Sequence, residues 1–311
     1  NLDLSFTGFE TLTDFSADLT FTGQLADPLG IPTLSGDATL NRRDGSDLPF
    51  DQISGPVKIR SNEQTIQFEG QLAGKGILKS NQTALRILGK TPSVQVAGEY
   101  DRTSGELSLS PSTARLERGR ADASGNVSTR DKTLDLQVKL QNVSGLLSTA
   151  PDLSAGGLLA LNGTFDAPNI SADLRIQNID ALNAIAVDAL GASARLRGDI
   201  QRKGKTFVVR SASLEGSNLS ATGSGSFAAS DTTDLVVQFA QSDALSISGT
   251  QIQLRNGTVL LTGSNGIDAV RFASSGGRLA RDSVEIEGLE TTIKLQNEDN
   301  SWAGPVELAG Q

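Results

Sequence analysis

Cysteine and histidine are both absent from the chain. Without cysteine there is no disulfide framework, no thiolate nucleophile and no thiolate metal site. Without histidine the commonest metal ligand is missing, and so is the commonest general acid or base. The sequence is therefore read as non-enzymatic, with no metal and no cofactor. Methionine is absent too and no signal peptide opens the chain, so it reads as a segment of a longer protein whose targeting and anchoring parts lie elsewhere.

Aromatic residues are scarce, with one Trp, one Tyr and 11 Phe making 4% of the chain. Hydrophobic residues still reach 37% and glycine numbers 33, so the chain is too apolar for disorder yet lacks the rings of an ordinary core. Basic stripes are missing as well. The 27 Lys and Arg against 36 Asp and Glu leave a net charge of −9. That field repels phosphate backbones and anionic lipid heads, which argues against nucleic acid as a partner. Any lipid contact has to use apolar surface. Long apolar runs are also lacking: "AGGLLAL" at 155–161 falls far short of the roughly 20 residues a membrane-spanning helix needs.

What is present is alternation of apolar and polar residues, the signature of strands with one buried and one wet face. "DLSFTGF" carries Leu4 and Phe6, "DLTFTGQL" Leu19 and Phe21, and "TIQFEG" Ile66 and Phe68. "SVQVAG" has Val94 and Val96, "ELSLS" Leu107 and Leu109, and "LDLQVKL" Leu134, Leu136, Val138 and Leu140. Leu174 and Ile176 follow in "ADLRIQN", then Phe207 and Val209, Ile252 and Leu254, Val284 and Ile286, and Ile293 and Leu295. Each pair reads with period two, and together these residues are the candidate lipid-facing set.

Turn signals separate the strands: Asp44-Gly45, Ser104-Gly105, Asn162-Gly163, Lys203-Gly204, Asn256-Gly257 and Asn265-Gly266 accept positive φ at low cost. A Gly-x-x-x-x-Pro corner occurs twice, at Gly163, Phe165 and Pro168 and at Gly23, Leu25 and Pro28. Helix is expected only as short elbows, at 81–92 before Gly89 and Pro92 and as one turn at 145–153.

An internal repeat appears at an offset of 100 positions. It pairs Gly98 with Gly198, Leu107 with Phe207, Leu109 with Val209, and Gly125 with Gly225. Fainter offsets lie near 140 and 137. The expected organisation is one continuous all-β segment, with irregular repeats over about 1–95, 96–195 and 196–311. About 25 strands at about 4.8 Å spacing would make a sheet on the order of 120 Å wide. Open sheets of that width curl or fold over. The fold class is thus an elongated, mostly antiparallel, folded-over sheet with an apolar interior.

The stretch from Leu134 to Gly198 resembles the repeats of the TamB family, the inner-membrane component of the translocation and assembly module, within the AsmA-like group. The shared pattern is a strand, a short Leu-rich elbow, a strand opening on Gly156-Gly157, the Gly163-Thr-Phe165-Asp-Ala-Pro168 corner and the strands after it. "ALRILGKTPSVQVAG" (84–98) and "SATGSGSF", ending at Phe227, look like that family as well. The resemblance implies a β-taco, or repeating β-groove, in the periplasm of a Gram-negative bacterium. It implies an inner-membrane anchor outside this segment, phospholipids as cargo, and an outer-membrane barrel as partner.

Such a groove needs no catalytic group. An acyl chain leaving a bilayer loses roughly 0.8 kcal/mol per CH₂ exposed to water, and a continuous apolar trough removes most of that cost. One alternative is a scaffold for barrel assembly that captures client strands by β-augmentation. Another is a fibre with a packed interior. Gly89-Lys90-Thr91 and Gly204-Lys205-Thr206 lack the earlier glycine of a phosphate loop, Ala84 and Asp199 standing there. "GSNGIDAV" at 263–270 is a lone copy of a calcium-repeat pattern and reads as a turn.

Overall fold

A computed structural model describes residues 15–24, 33–42, 50–77, 82–228, 232–264, 266–298 and 301–310. Leu4, Phe6, Leu25, Pro28, Asp44-Gly45 and Asn265 lie outside the described residues. The fold is all-β and antiparallel, with short helices and a sheet that is not closed into a barrel. Two compact units divide it, Asn1–Phe165 and Asp166–Gln311.

Unit 1 holds β1 (Phe15–Gln24), β2 (Thr33–Arg42), β3 (Phe50–Ser61), β4 (Thr65–Ile77), helix α1 (Gln82–Leu88) and β5 (Ser93–Asp101). It continues with β6 (Glu106–Leu116), β7 (Gly119–Ser128), β8 (Thr133–Ser144) and β9 (Ser154–Thr164). Every strand pairs antiparallel with the next, as short turns between period-two segments dictate. Ser104-Gly105 closes β5 onto β6 as expected. There the backbone N–H groups of Ser104 and Thr103 donate to the Asp101 carboxylate and hold it below the usual carboxylate range.

Period two does not run unbroken through β6. In "ELSLSPSTARL" the apolar residues are Leu107 and Leu109, then Ala114 and Leu116 in the opposite phase, in step with the buried Ser112. The ladder shifts register between Leu109 and Ser112. One extra residue there turns the second half of the strand over, so both halves present their apolar side chains to one face. Pro111, which has no N–H to lose, occupies the interruption. The buried Ser112 hydroxyl donates to the Ser110 carbonyl at 2.9 Å and accepts from the Ala97 N–H at 3.3 Å.

Unit 2 holds β10 (Pro168–Gln177), a 3-10 turn (Ile179–Ala181), α2 (Ala184–Leu190), β11 (Ser193–Lys203), β12 (Thr206–Glu215), β13 (Leu219–Ala228) and β14 (Thr233–Gln241). Next come β15 (Leu245–Ile247), β16 (Thr250–Gln253), β17 (Asn256–Gly263), β18 (Ala269–Arg281), β19 (Val284–Glu298), β20 (Ser301–Ala303) and β21 (Val306–Ala309). Strands β10 to β14 pair in order. β14 then pairs with β17, while β15 and β16 form a hairpin whose second strand lies on the far half of β18. β19 pairs with β18 on one side and with β20 and β21 on the other.

The 100-residue offset relates real elements. β5 to β8 begin at Ser93, Glu106, Gly119 and Thr133, and β11 to β14 at Ser193, Thr206, Leu219 and Thr233. The phase shift recurs in β12, between Val209 and Ala212. Gly125 and Gly225 share a φ of 136° and 138°, and a Cβ on either would lie 2.0 Å from a backbone carbonyl oxygen, of Asp135 or Asp234.

The first helical elbow is α1, stopped by Gly89, whose N–H donates to the Leu85 carbonyl. The turn of helix expected at 145–153 is not helical. Gly145 at φ 83° and Pro151 interrupt a helical ladder at both ends, and Arg86 and Arg118 instead donate to the Gly145 and Pro151 carbonyls. The second helix is α2, capped by Asn183, whose side chain accepts from the Ala186 N–H. Two expected turns are also corrected. Asn162-Gly163 lies inside β9 and Asn256-Gly257 opens β17, because both stretches keep their ladder partners.

Candidate functional site

Residues opposite one another in an antiparallel ladder share a face, so the registers order the apolar side chains into rows. In unit 1 one row runs from Leu34 through Ile59 and Phe68 to Gly98, then Leu109, Gly125, Leu136 and Leu161. A second joins Ile66, Tyr100, Leu107, Val127 and Leu134. A third joins Leu72, Val94, Ala114, Ala121 and Leu140. Val96 pairs with Gly70, Val138 with Leu159, and Phe21 and Leu19 of β1 with Gly36 and Ala38. The side chains of Leu19 and Phe21 lie outside the described residues.

Unit 2 repeats the arrangement. Ile170, Ile200, Val209 and Gly225 continue into Leu235, Leu261, Val270 and Leu295. Leu174, Leu196, Leu214 and Ala221 lead to Phe239. Between these rows lies a floor of small residues, Ala172, Gly198, Ala212 and Gly223, followed by Val237, Val259, Phe272 and Ile293. A Cβ on Gly198 would meet nothing nearer than 3.9 Å. Over β10 to β13 this floor is one missing row of side chains, about 13 Å between its flanking rows by strand geometry. Ile176 pairs with Ala194 at one end, Phe207 with Phe227 at the other, and Ile252 and Ile286 join Leu279 on a separate row, with Val284 opposite Arg281. Leu254 falls at the break between β16 and β17, its N–H donating to the Gln241 side chain.

The candidate residues whose side chains are described are all half-buried or exposed; Val94 is 37%, Phe207 39% and Val284 59% exposed. The buried apolar side chains sit elsewhere and are mostly alanines. Val143, Ala150 and Ala155 cluster where β8 runs into β9, and Ile179, Ala189 and Ala194 around α2. The rows thus lack the interlocked large side chains of a closed sandwich. Leu235, Val237, Phe239, Val259, Leu261 and Phe272 belong to them although the sequence reading passed over them. "DLVVQFA" does alternate, but Val236 on the wet face hides the period.

The opposite face is wet and charged. Lys58 pairs with Glu69, Arg120 with Asp122, Arg197 with Glu215, Arg210 with Asp199 and Arg278 with Glu285. The Thr113 hydroxyl, then Arg120, hold the Asp122 carboxyl below its ordinary range. Hollows of about 450 to 680 Å³ open among polar-face residues such as Lys58, Gln67 and Glu69, or Asn126, Asp131 and Asp135. Among the described residues there is no group of acidic residues arranged to hold a metal ion, and no helix is long and apolar enough to cross a membrane. Comparison with family models, with curated proteins and with solved structures finds no match to this chain.

Proposed function

We propose that the chain is a non-enzymatic lipid conduit, a periplasmic TamB-like segment whose apolar rows carry phospholipid acyl chains between inner and outer membranes. One observation carries the reading: within each unit, aliphatic rows cross the successive strands on one face and remain half-exposed. Two sixteen-carbon tails in water cost over roughly 20 kcal/mol. Burial against Leu, Val and Ile rows recovers most of that without a directional contact that would trap the lipid. The test is a Leu136→Asp, Ile176→Asp, Val209→Asp triple variant in the full protein. Lipid co-purified without detergent, counted by mass spectrometry, should fall at least tenfold while circular dichroism keeps the β signature. Undiminished lipid on a folded variant overturns the proposal.

The second reading is a β-strand scaffold with an outer-membrane barrel as partner, and the edge strand β21 favours it. Val306 and Leu308 are 59% and 64% exposed, and among the described residues β21 pairs only with β19. That reading expects backbone cross-links from β21 to a client strand and no lipid on the rows.

A further inference from the structure

The polar face of unit 2 changes character across β13, β14, β17 and β18. On β10 to β12 it bears carboxylates and guanidinium groups that pair across strands, Asp173 with Arg195 and Asp199 with Arg210 among them. On β13, β14, β17 and β18 the same face carries Asp234 and Arg271 toward one end, and beside them a stretch without charge. Register sets Ser220, Ala240, Asn256 and Ser275 in one row. Thr222, Gln238, Thr258 and Ala273 form the next. The two rows line a hollow of about 540 Å³, and no Asp, Glu, Lys or Arg takes part in its lining. That volume lies within the roughly 300–1,000 Å³ of ligand-holding clefts.

The polar side chains of this tile are uncommitted. Among the described residues, Ser220, Thr222, Gln238, Asn256, Thr258 and Ser275 have no side-chain hydrogen bond or ion pair within the protein. Hydroxyl and carboxamide groups each donate and accept, so they match a ligand that does both at closely spaced points. Nothing in the lining compensates a charged ligand for lost hydration. The methyl groups of Ala240 and Ala273 offer small apolar patches between the polar ones.

We propose that this hollow binds a neutral polyhydroxylated ligand, a short segment of uncharged glycan. It lies on the face opposite the apolar rows and does not depend on the lipid reading.

The test titrates the ¹⁵N-labelled chain with uncharged trisaccharides (maltotriose, cellotriose, chitotriose) and with a trimeric uronic acid. At least one neutral sugar should shift the side-chain amide signals of Gln238 and Asn256, and the uronate should not. Gln238→Ala and Asn256→Ala should each weaken the neutral sugar about fivefold, the share of one hydrogen bond. Both sites are exposed, so the variants keep the wild-type spectrum elsewhere. An octyl glycoside of the binding sugar should bind as tightly as the free sugar. Silence of both amides with every sugar, equal binding of the uronate, undiminished binding by the variants, or binding of the octyl glycoside alone each overturns the site.

Discussion

Asp173 faces Arg197 in the register of β10 and β11, yet its two-pronged contact comes from the diagonal Arg195, at 2.7 and 2.5 Å. That guanidinium holds the Asp173 carboxyl below the usual carboxylate range. A depressed carboxyl contributes stability that is present above its unfolded pKa and is lost as pH falls through the folded value. The loss therefore begins below about pH 4, and it is small because the pair is exposed. Arg195→Ala should move the Asp173 midpoint upward in a ¹³C carboxyl titration; an unmoved midpoint assigns the depression to something else. Gly125 and Gly225 allow a sharper comparison. Each has a positive φ and a carbonyl oxygen where a Cβ would go, so alanine at either should cost about 2 kcal/mol in urea unfolding. Equal costs are expected, since the two glycines hold the same place in the repeat.

Among the elements, the break between β16 and β17 is bridged by the Gln241 side chain. The Gln241 carboxamide donates to the carbonyls of Asp243 and Ile252 and accepts from the Leu254 N–H at 3.0 Å, bridging the break. Gln241→Leu leaves those backbone groups unpaired and should cost about 2 kcal/mol. Hydrogen exchange should then speed up at Leu254 before it does in β14. This bridge was invisible in the sequence, because Gln241 and Leu254 meet only after the hairpin of β15 and β16 has folded aside. Strands were legible wherever alternation was clean, as in "LDLQVKL", and so was the 100-residue repeat. The phase shift at Leu109 to Ser112 was not, because a period read over five residues cannot see its own reversal. Helix α2 carried its signal in Asn183 and Gly191, an N-cap and a positive-φ stop, but the alternating stretches on either side drew the reading toward strand. The candidate rows were half legible, in that Leu136 and Val209 could be named but their neighbours across the ladder needed registers.

At the scale of the whole molecule, many strands coexist with little deep burial. Ile179 and Thr233 are the largest fully buried side chains among the described residues. Heat capacity of unfolding tracks the apolar surface newly exposed, about 12–15 cal/mol/K per residue in ordinary domains. Calorimetry on this chain should give a value per residue clearly below that range, and an ordinary value would mean that the rows are sealed in solution. The pairing pattern has a consequence for synthesis. Almost every strand finds its partner in the segment made just before it, so most pairings close short loops, the β14–β17 and β16–β18 pairings excepted. Such a chain can zip up from its leading end while the rest is still emerging, and it need not hold a long unfolded stretch in waiting.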